Sequence, residues 1–203
     1  MSRFLETIRI LDGKPQHLPW HQQRVDATLR YFYPKTSSEP GAFPLFDILL
    51  SCQIPREGTH RCRILYDANT LEVEFKAYTL AEIHALQLVA APEGYDYSFK
   101  YADRSVIDLL YAQRGAADDV LITRDGYITD TSIANIAFRK DDRWYTPARP
   151  QLAGTTWKRL VSEGILIPRP IHQDEVYRYD GFRVFNAMME WGASEERIEG
   201  IRK

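Results

Sequence analysis

Cysteine is scarce in this chain, with only Cys52 and Cys62 among 203 residues. A separation of ten positions fits neither a zinc-ligand pair nor a Cys-x-x-Cys redox motif. Two thiols also cannot staple a chain of this length, so they read as reduced cysteines of an intracellular protein. A charge excess of one sign is missing too: 26 Lys+Arg against 28 Asp+Glu leave a formal net charge of -2. Nucleic-acid modules carry a basic excess, so that partner class is set aside. No apolar run approaches the ~20 residues that span a bilayer. The first residues lack the charged, apolar and small-residue order of a secretory leader. The expectation is a soluble cytoplasmic protein with no membrane partner. Repeats and low-complexity tracts are absent as well.

What is present has the make-up of a globular protein, 44% hydrophobic and 27% charged. A chain of this size buries about 70% of its unfolded surface, enough for one large domain or two small ones.

Phe4 to Ile10 alternates as a strand, with Leu5, Thr7 and Arg9 on one side and Phe4, Glu6, Ile8 and Ile10 on the other. Asp12-Gly13 is a hairpin signal. Pro19 opens a helix that Pro34 ends, with Val25, Leu29 and Phe32 at helical spacing. Thr36 to Phe43 reads as a loop and Leu45 to Leu50 as a short helix. Arg61 to Tyr66, Thr70 to Ala77 and Leu86 to Ala90 read as strands. Pro92-Glu93-Gly94 is the expected boundary between a domain over 1–92 and a domain over 93–203. Asp103 is expected to cap a helix that ends near Gly115. Asp125-Gly126 joins two strands, and Ile133 to Phe138 and Arg143 to Tyr145 follow. A helix opens at Gly154-Thr155-Thr156 and ends at Gly164, and Phe182 to Phe185 is the last apolar strand. The whole reads as two mixed α+β halves.

Four places have residue types suited to chemistry, and each has a plainer reading. The N–H groups at the helix start after Gly154 suit an anion, and Thr155 or Thr156 equally suits a plain cap. His21 and Arg24 share a helix face; a guanidinium grips a phosphate in bidentate fashion, and a solvated face carries the same residues. Lys100 lies between Phe99 and Tyr101, where desolvation favours a neutral, nucleophilic amine; its neighbours alone account for the packing. Asp130 suits a protonated ring nitrogen or a turn.

The order of these elements resembles the class IV aminotransferases, the fold-type IV pyridoxal-phosphate enzymes. The resembling stretches are Leu5-Glu-Thr-Ile-Arg9 with Asp12-Gly13, His21-Gln-Gln-Arg24, Lys100, and the long run from Ala117 to Phe138. Tyr145-Thr-Pro147, Leu152-Ala-Gly-Thr-Thr156 and Phe185-Asn-Ala-Met188 complete them. The resemblance implies an α+β fold of two mixed α/β domains with pyridoxal 5′-phosphate between them. The first of these is shortened relative to family members with extra N-terminal strands. It implies that Lys100 joins the cofactor covalently and later moves a proton. Asp130, where the family normally has glutamate, faces the pyridine nitrogen. Arg24, Thr155, Thr156 and the turn Asn186-Ala187 hold the phosphate. Among the family's activities the turn at Phe185–Met188 and the pair Asp103-Arg104 resemble 4-amino-4-deoxychorismate lyase, an enzyme of folate biosynthesis. Its dicarboxylate substrate implies cations such as Arg9 and Arg104, with Thr7, at the substrate. The alternatives are an aminotransferase for branched-chain or D-amino acids, with Tyr95, Tyr97 and Tyr101 lining an apolar pocket, and a homologue without turnover. The resemblance further implies a homodimer.

Overall fold

The structure, a computed structural model, describes residues 2–34, 43–189, 191–192 and 194–202. The loop expected over Thr36 to Phe43 lies outside them apart from Phe43. The chain divides into two compact units. One comprises Met1–Leu80 with Phe99–Asp103, the other Ala81–Ser98 with Arg104–Lys203. This differs from a boundary at Pro92-Gly94 in two respects. Leu86–Ala90 pairs in parallel with 119–123, so it belongs with the second unit. The segment around Lys100 belongs with the first, because Leu5 N–H donates to Lys100 O (2.9 Å) and Ala102 N–H to Arg3 O (2.8 Å).

The first unit is an antiparallel sheet covered by helices. Its elements are β1 (Phe4–Leu11), β2 (Lys14–Pro15), α1 (Leu18–Phe32), α2 (Leu45–Leu50), β3 (Thr59–Tyr66) and β4 (Leu71–Ala77), with strand order β2-β1-β3-β4. The turn into β2 takes Asp12 and Gly13 through positive φ, 46° and 77°, which the Asp-Gly pair accommodates at little cost. One sheet face carries Phe4, Ile8, Ile10, Cys62, Ile64 and Tyr66. It packs with Val25 and Leu29 of α1 and Leu45 and Leu49 of α2. Burial of each such side chain contributes about 1.5–3 kcal/mol. The other face carries Leu5, Thr7, Arg9, Arg61, Arg63 and Leu65, all but Leu5 partly exposed.

The second unit has two sheets. They are built from β5 (Leu86–Ala90), α3 (Ser105–Tyr111), β6 (Asp119–Arg124), β7 (Tyr127–Thr131), β8 (Asn135–Lys140), β9 (Arg143–Pro147), α4 (Thr155–Ser162), β10 (Leu166–Arg169), β11 (Gly181–Phe185), β12 (Glu196–Arg197) and β13 (Ile201–Arg202). The orders are β10-β9-β8-β11-β12 and β13-β5-β6-β7. Asp118 ties the start of β5 to β6, its carboxylate accepting from His84 and Ala85 N–H (2.9 Å each). α3 starts at Ser105 with Arg104 at the cap position, one residue later than the expected cap at Asp103.

Candidate active site

In the first unit the chemistry gathers around one buried carboxylate. Alternation along β1 points Glu6 to the same side as Phe4, Ile8 and Ile10, toward α1, and it is fully buried. His21 and Arg24, three residues apart on α1, both turn to it. Arg24 donates from Nε to Glu6 Oε1 and from Nη2 to Oε2, each at 2.6 Å. His21 Nδ1 lies 2.6 Å from Oε2. Burial opposes the charge on Glu6, but the Arg24 charge and the hydrogen bonds from His21 and Arg24 outweigh it and hold the pKa at about 2. Glu6 is therefore ionised and can only accept, so His21 carries its proton on Nδ1. Burial is also the first cause lowering the His21 pKa. Glu6 opposes the shift, while the charges of Arg24 and Lys100 add to it. His21 is neutral near pH 7.

Lys100 is partly buried beside β1. An antiparallel bridge pairs Phe4 with Tyr101, so Lys100 stands at the position of Leu5. Its charge reaches His21. The first unit thus brings together Lys100 and Arg24 of the expected set. It also places Thr7 and Arg9 on the outer face of β1. Strand register adds two rows there: Thr7, Arg63 and Glu74 in one, Arg9, Arg61 and Lys76 in the other. Glu74 pairs with Lys76 at 2.8 Å, and the charges of Arg63 and Arg61 act on the same carboxylate. Arg9, Arg61 and Lys76 thus stand side by side across three strands.

The second unit carries Asp130, buried near the end of β7. Its Oδ1 accepts from Asn135 Nδ2 (2.7 Å) and its Oδ2 from Leu152 N–H (2.8 Å). The same Asn135 amide donates to Leu152 O (2.9 Å). Gly154 follows, extended at the cap position of α4 with φ −60° and ψ 157°. A Cβ there would stand 2.4 Å from Asn135 Oδ1, so only glycine allows this approach. Thr155 and Thr156 are buried at the first positions of α4, and neither serves as a side-chain cap. The helix is seated by Leu160 and by Trp157, whose Nε1–H donates to Thr146 Oγ1 (3.1 Å). Asn186, after β11, accepts from Met188 N–H (2.8 Å) and donates to Ile133 O (3.1 Å), making the expected turn with Ala187.

Arg104 donates from Nη2 to Ser132 O (3.0 Å) and lines a cavity of about 530 Å³ within the second unit, together with Asp108, Tyr111 and Arg114. The Tyr101 ring packs on Phe4 and Phe99, partly buried against the core of the first unit. Tyr95 and Tyr97 stack on each other in the second unit, with centroids 6.3 Å apart.

The sequence reading does not single out Glu6 and Asn135, which bond to Arg24 and Asp130, nor Arg61 and Arg63 on the outer face of β3. An acid on the apolar side of a strand was the available signal for Glu6, and the alternating arginines of β3 were the signal for the cation rows.

The donor sets of the two units fit pyridoxal 5′-phosphate. One holds an amine and a guanidinium, the other a buried carboxylate acceptor and a helix start with two hydroxyls. The comparisons agree. The chain matches the amino-transferase class IV family over residues 3–194. An uncharacterized protein of Haemophilus influenzae is 37% identical over 191 residues, covering 93% of this chain and 98% of that one. The aminodeoxychorismate lyase of Bacillus subtilis is 25% identical over 70% of this chain, which spans 57% of that enzyme's length. A crystal structure from Haemophilus somnus 129pt, provisionally assigned as a 4-amino-4-deoxychorismate lyase, superposes with a TM-score of 0.83. It is 32% identical, over 93% of this chain and 97% of that one. An aminotransferase of Mycobacterium tuberculosis described as hypothetical, solved with the cofactor bound, shares the fold with a TM-score of 0.72 at 16% identity, over 98% of this chain and 81% of that one. The chain belongs to the class IV aminotransferase family, and its cofactor is that family's pyridoxal 5′-phosphate.

Proposed function

We propose that this enzyme is a 4-amino-4-deoxychorismate lyase, converting a dicarboxylate amino substrate to 4-aminobenzoate and pyruvate. The observation that carries the reading is the arginine-bearing outer face of β1 and β3. Arg9, Arg61 and Arg63 share one sheet face, with Arg9 opposite Arg61 and Thr7 opposite Arg63, and a substrate with two carboxylates suits such a face. The reaction is a balanced split of one molecule. A proton leaves the ring carbon bearing the amino group, the bond from the adjacent ring carbon to the ether oxygen breaks with its electron pair going to that oxygen, the released enolpyruvate takes up a proton at its CH2 to become pyruvate, and the ring becomes aromatic. No second substrate is required.

When bound, pyridoxal phosphate supplies an electron sink for the carbon that loses its proton. The chain's residues do the rest. Lys100 holds the cofactor through its amine, then takes and returns the proton. Asp130 accepts from the protonated ring nitrogen. Its side chain is one methylene shorter than the glutamate of the family, and it would keep that nitrogen protonated. Arg24 and the α4 start with Thr155 and Thr156 hold the phosphate, and the Asn186-Ala187 turn adds to it. Arg9, Arg61, Arg63 and Arg104, with Thr7, orient the substrate. The family's homodimer and a cytoplasmic location belong to the same reading, the former checked by sedimentation.

The deciding assay supplies 4-amino-4-deoxychorismate to the holoenzyme without any keto acid. Release of 4-aminobenzoate and pyruvate in equal amounts supports the lyase. Turnover only when a keto acid is added, with no 4-aminobenzoate, shows an aminotransferase instead.

A further inference from the structure

The cluster under Arg24 contains more than a phosphate grip needs. A guanidinium that binds an anion is best left with its charge uncompensated, yet Arg24 is locked edge-on to Glu6 by two bonds of 2.6 Å. Carboxylate and guanidinium sum to zero charge, and both are buried. Nε–H and one Nη2–H face Glu6, while the other three N–H groups of the fork point away from it. A phosphate monoester that meets this pair brings nearly two negative charges toward a neutral partner. The third member of the cluster supplies what is missing. His21 hydrogen-bonds the same Glu6 oxygen that Arg24 holds.

We propose that Glu6 and His21 turn Arg24 into a proton-coupled anion receptor, in which His21 takes up one proton from solvent when a phosphate dianion arrives. The inference rests on the reading that Arg24 holds the cofactor phosphate. The proton goes to Nε2 of His21, because Nδ1 already carries the hydrogen given to Glu6. The cluster then changes from net zero to net +1 as the dianion enters. The charged groups facing His21 are Glu6 from β1, Arg24 on its own helix and Lys100 from the segment beside β1. In the free protein burial, Arg24 and Lys100 keep the imidazole neutral against the pull of Glu6. An added dianion opposes all three of these effects in a site where charges are weakly screened. Glu6 and His21 are positioning residues in this account: they set the direction and the charge of the arginine, and the arginine touches the anion.

The test uses pyridoxine 5′-phosphate, which has the ring and the phosphate but no aldehyde to react with Lys100. Its binding is followed calorimetrically at pH 8 in two buffers of different protonation enthalpy. With a phosphate pKa of about 6, the ligand is already a dianion there. The wild-type protein is expected to take up more than about half a proton per site, since a nearby dianion moves a histidine across this pH range. His21→Gln keeps a donor for Glu6 and is expected to bind with that uptake gone. Glu6→Gln is expected to reduce it, because the guanidinium then starts with its charge uncompensated. Pyridoxine, without the phosphate, is expected to give none of the His21-dependent uptake. In ¹⁵N-histidine spectra one ring changes from the neutral to the imidazolium pattern on ligand addition, a readout that survives if a variant fails to fold. Binding without proton uptake in the wild type, or with equal uptake in His21→Gln, overturns the coupling but leaves the phosphate role of Arg24 standing. Absence of binding, or binding unchanged in Arg24→Ala, overturns that role and the coupling with it.

Discussion

Glu6 lies among Phe4, Ile8 and Ile10, where an unpaired carboxylate would be expelled or protonated. Its charge persists because His21 and Arg24 surround it. Removal of one member of a buried charge pair costs about 3–5 kcal/mol, since the other remains desolvated. Glu6→Ala is therefore expected to lose that much stability in urea unfolding, and a loss below about 1 kcal/mol would show the cluster to be dispensable. Acid has a related effect. The unfolded chain protonates this group near its ordinary 4.5, whereas the folded chain does so only at about 2. The contribution of Glu6 is thus complete above the first value and disappears as pH falls through the second. Stability curves for Glu6→Gln should be flatter than wild type across that window; parallel curves would contradict the assignment. Residue types alone leave Arg24, Lys100 and Asp130 each with a plainer reading, and it is their order along the chain, resembling the class IV aminotransferases, that singles them out. Residue types did not expose Glu6 or Asn135, whose importance comes from which groups they meet across the fold: Glu6 meets a helix 18 positions away in sequence, Asn135 the loop before α4.

Elements determine what these residues can reach. The register of β1 against β3 and β4 aligns Arg9, Arg61 and Lys76, and neighbouring Thr7 and Arg63. The sequence shows Arg61 and Arg63 at alternate positions of one strand, but not which residues of the neighbouring strands stand opposite them. A hydrogen bond from a charged group is worth about 1.5–3 kcal/mol. Arg61→Gln and Arg63→Gln are each expected to lower kcat/KM by about 10–100-fold, chiefly through KM, as uniform binding predicts. Unchanged KM in both would remove the cation rows from the substrate's path. In the second unit the close contact of Gly154 with Asn135 joins the start of α4 to Asp130. Gly154→Ala forces Asn135 aside, at a cost of about 1–3 kcal/mol for overpacking, and should weaken cofactor binding along with stability. Normal cofactor affinity in a destabilised Gly154→Ala protein would separate the two. The sequence marked this glycine as a helix opening, and the hairpins at Asp12-Gly13 and Asp125-Gly126 were equally legible, because their φ requirements leave few residue choices. The parallel strand β10 was not: four residues with three exposed carry no usable alternation.

At the scale of the whole molecule, the division into units changes how the site is understood. The boundary expected at Pro92-Glu93-Gly94 puts Lys100 in the C-terminal half. Backbone hydrogen bonds place it in the first unit, alongside β1. A local turn signal says where the chain bends, not which sheet it rejoins afterwards. The amine therefore shares a folding unit with Arg24, while Asp130 and the start of α4 belong to the other unit. The central claim is that one lysine among the seven in the sequence carries the cofactor. Borohydride reduction of the pyridoxal-phosphate-loaded protein, followed by peptide mass mapping, tests it most directly. The account predicts a single stoichiometric adduct on Lys100 that disappears when Arg24→Ala abolishes phosphate binding. An adduct spread over the other lysines, or none at position 100, would contradict it.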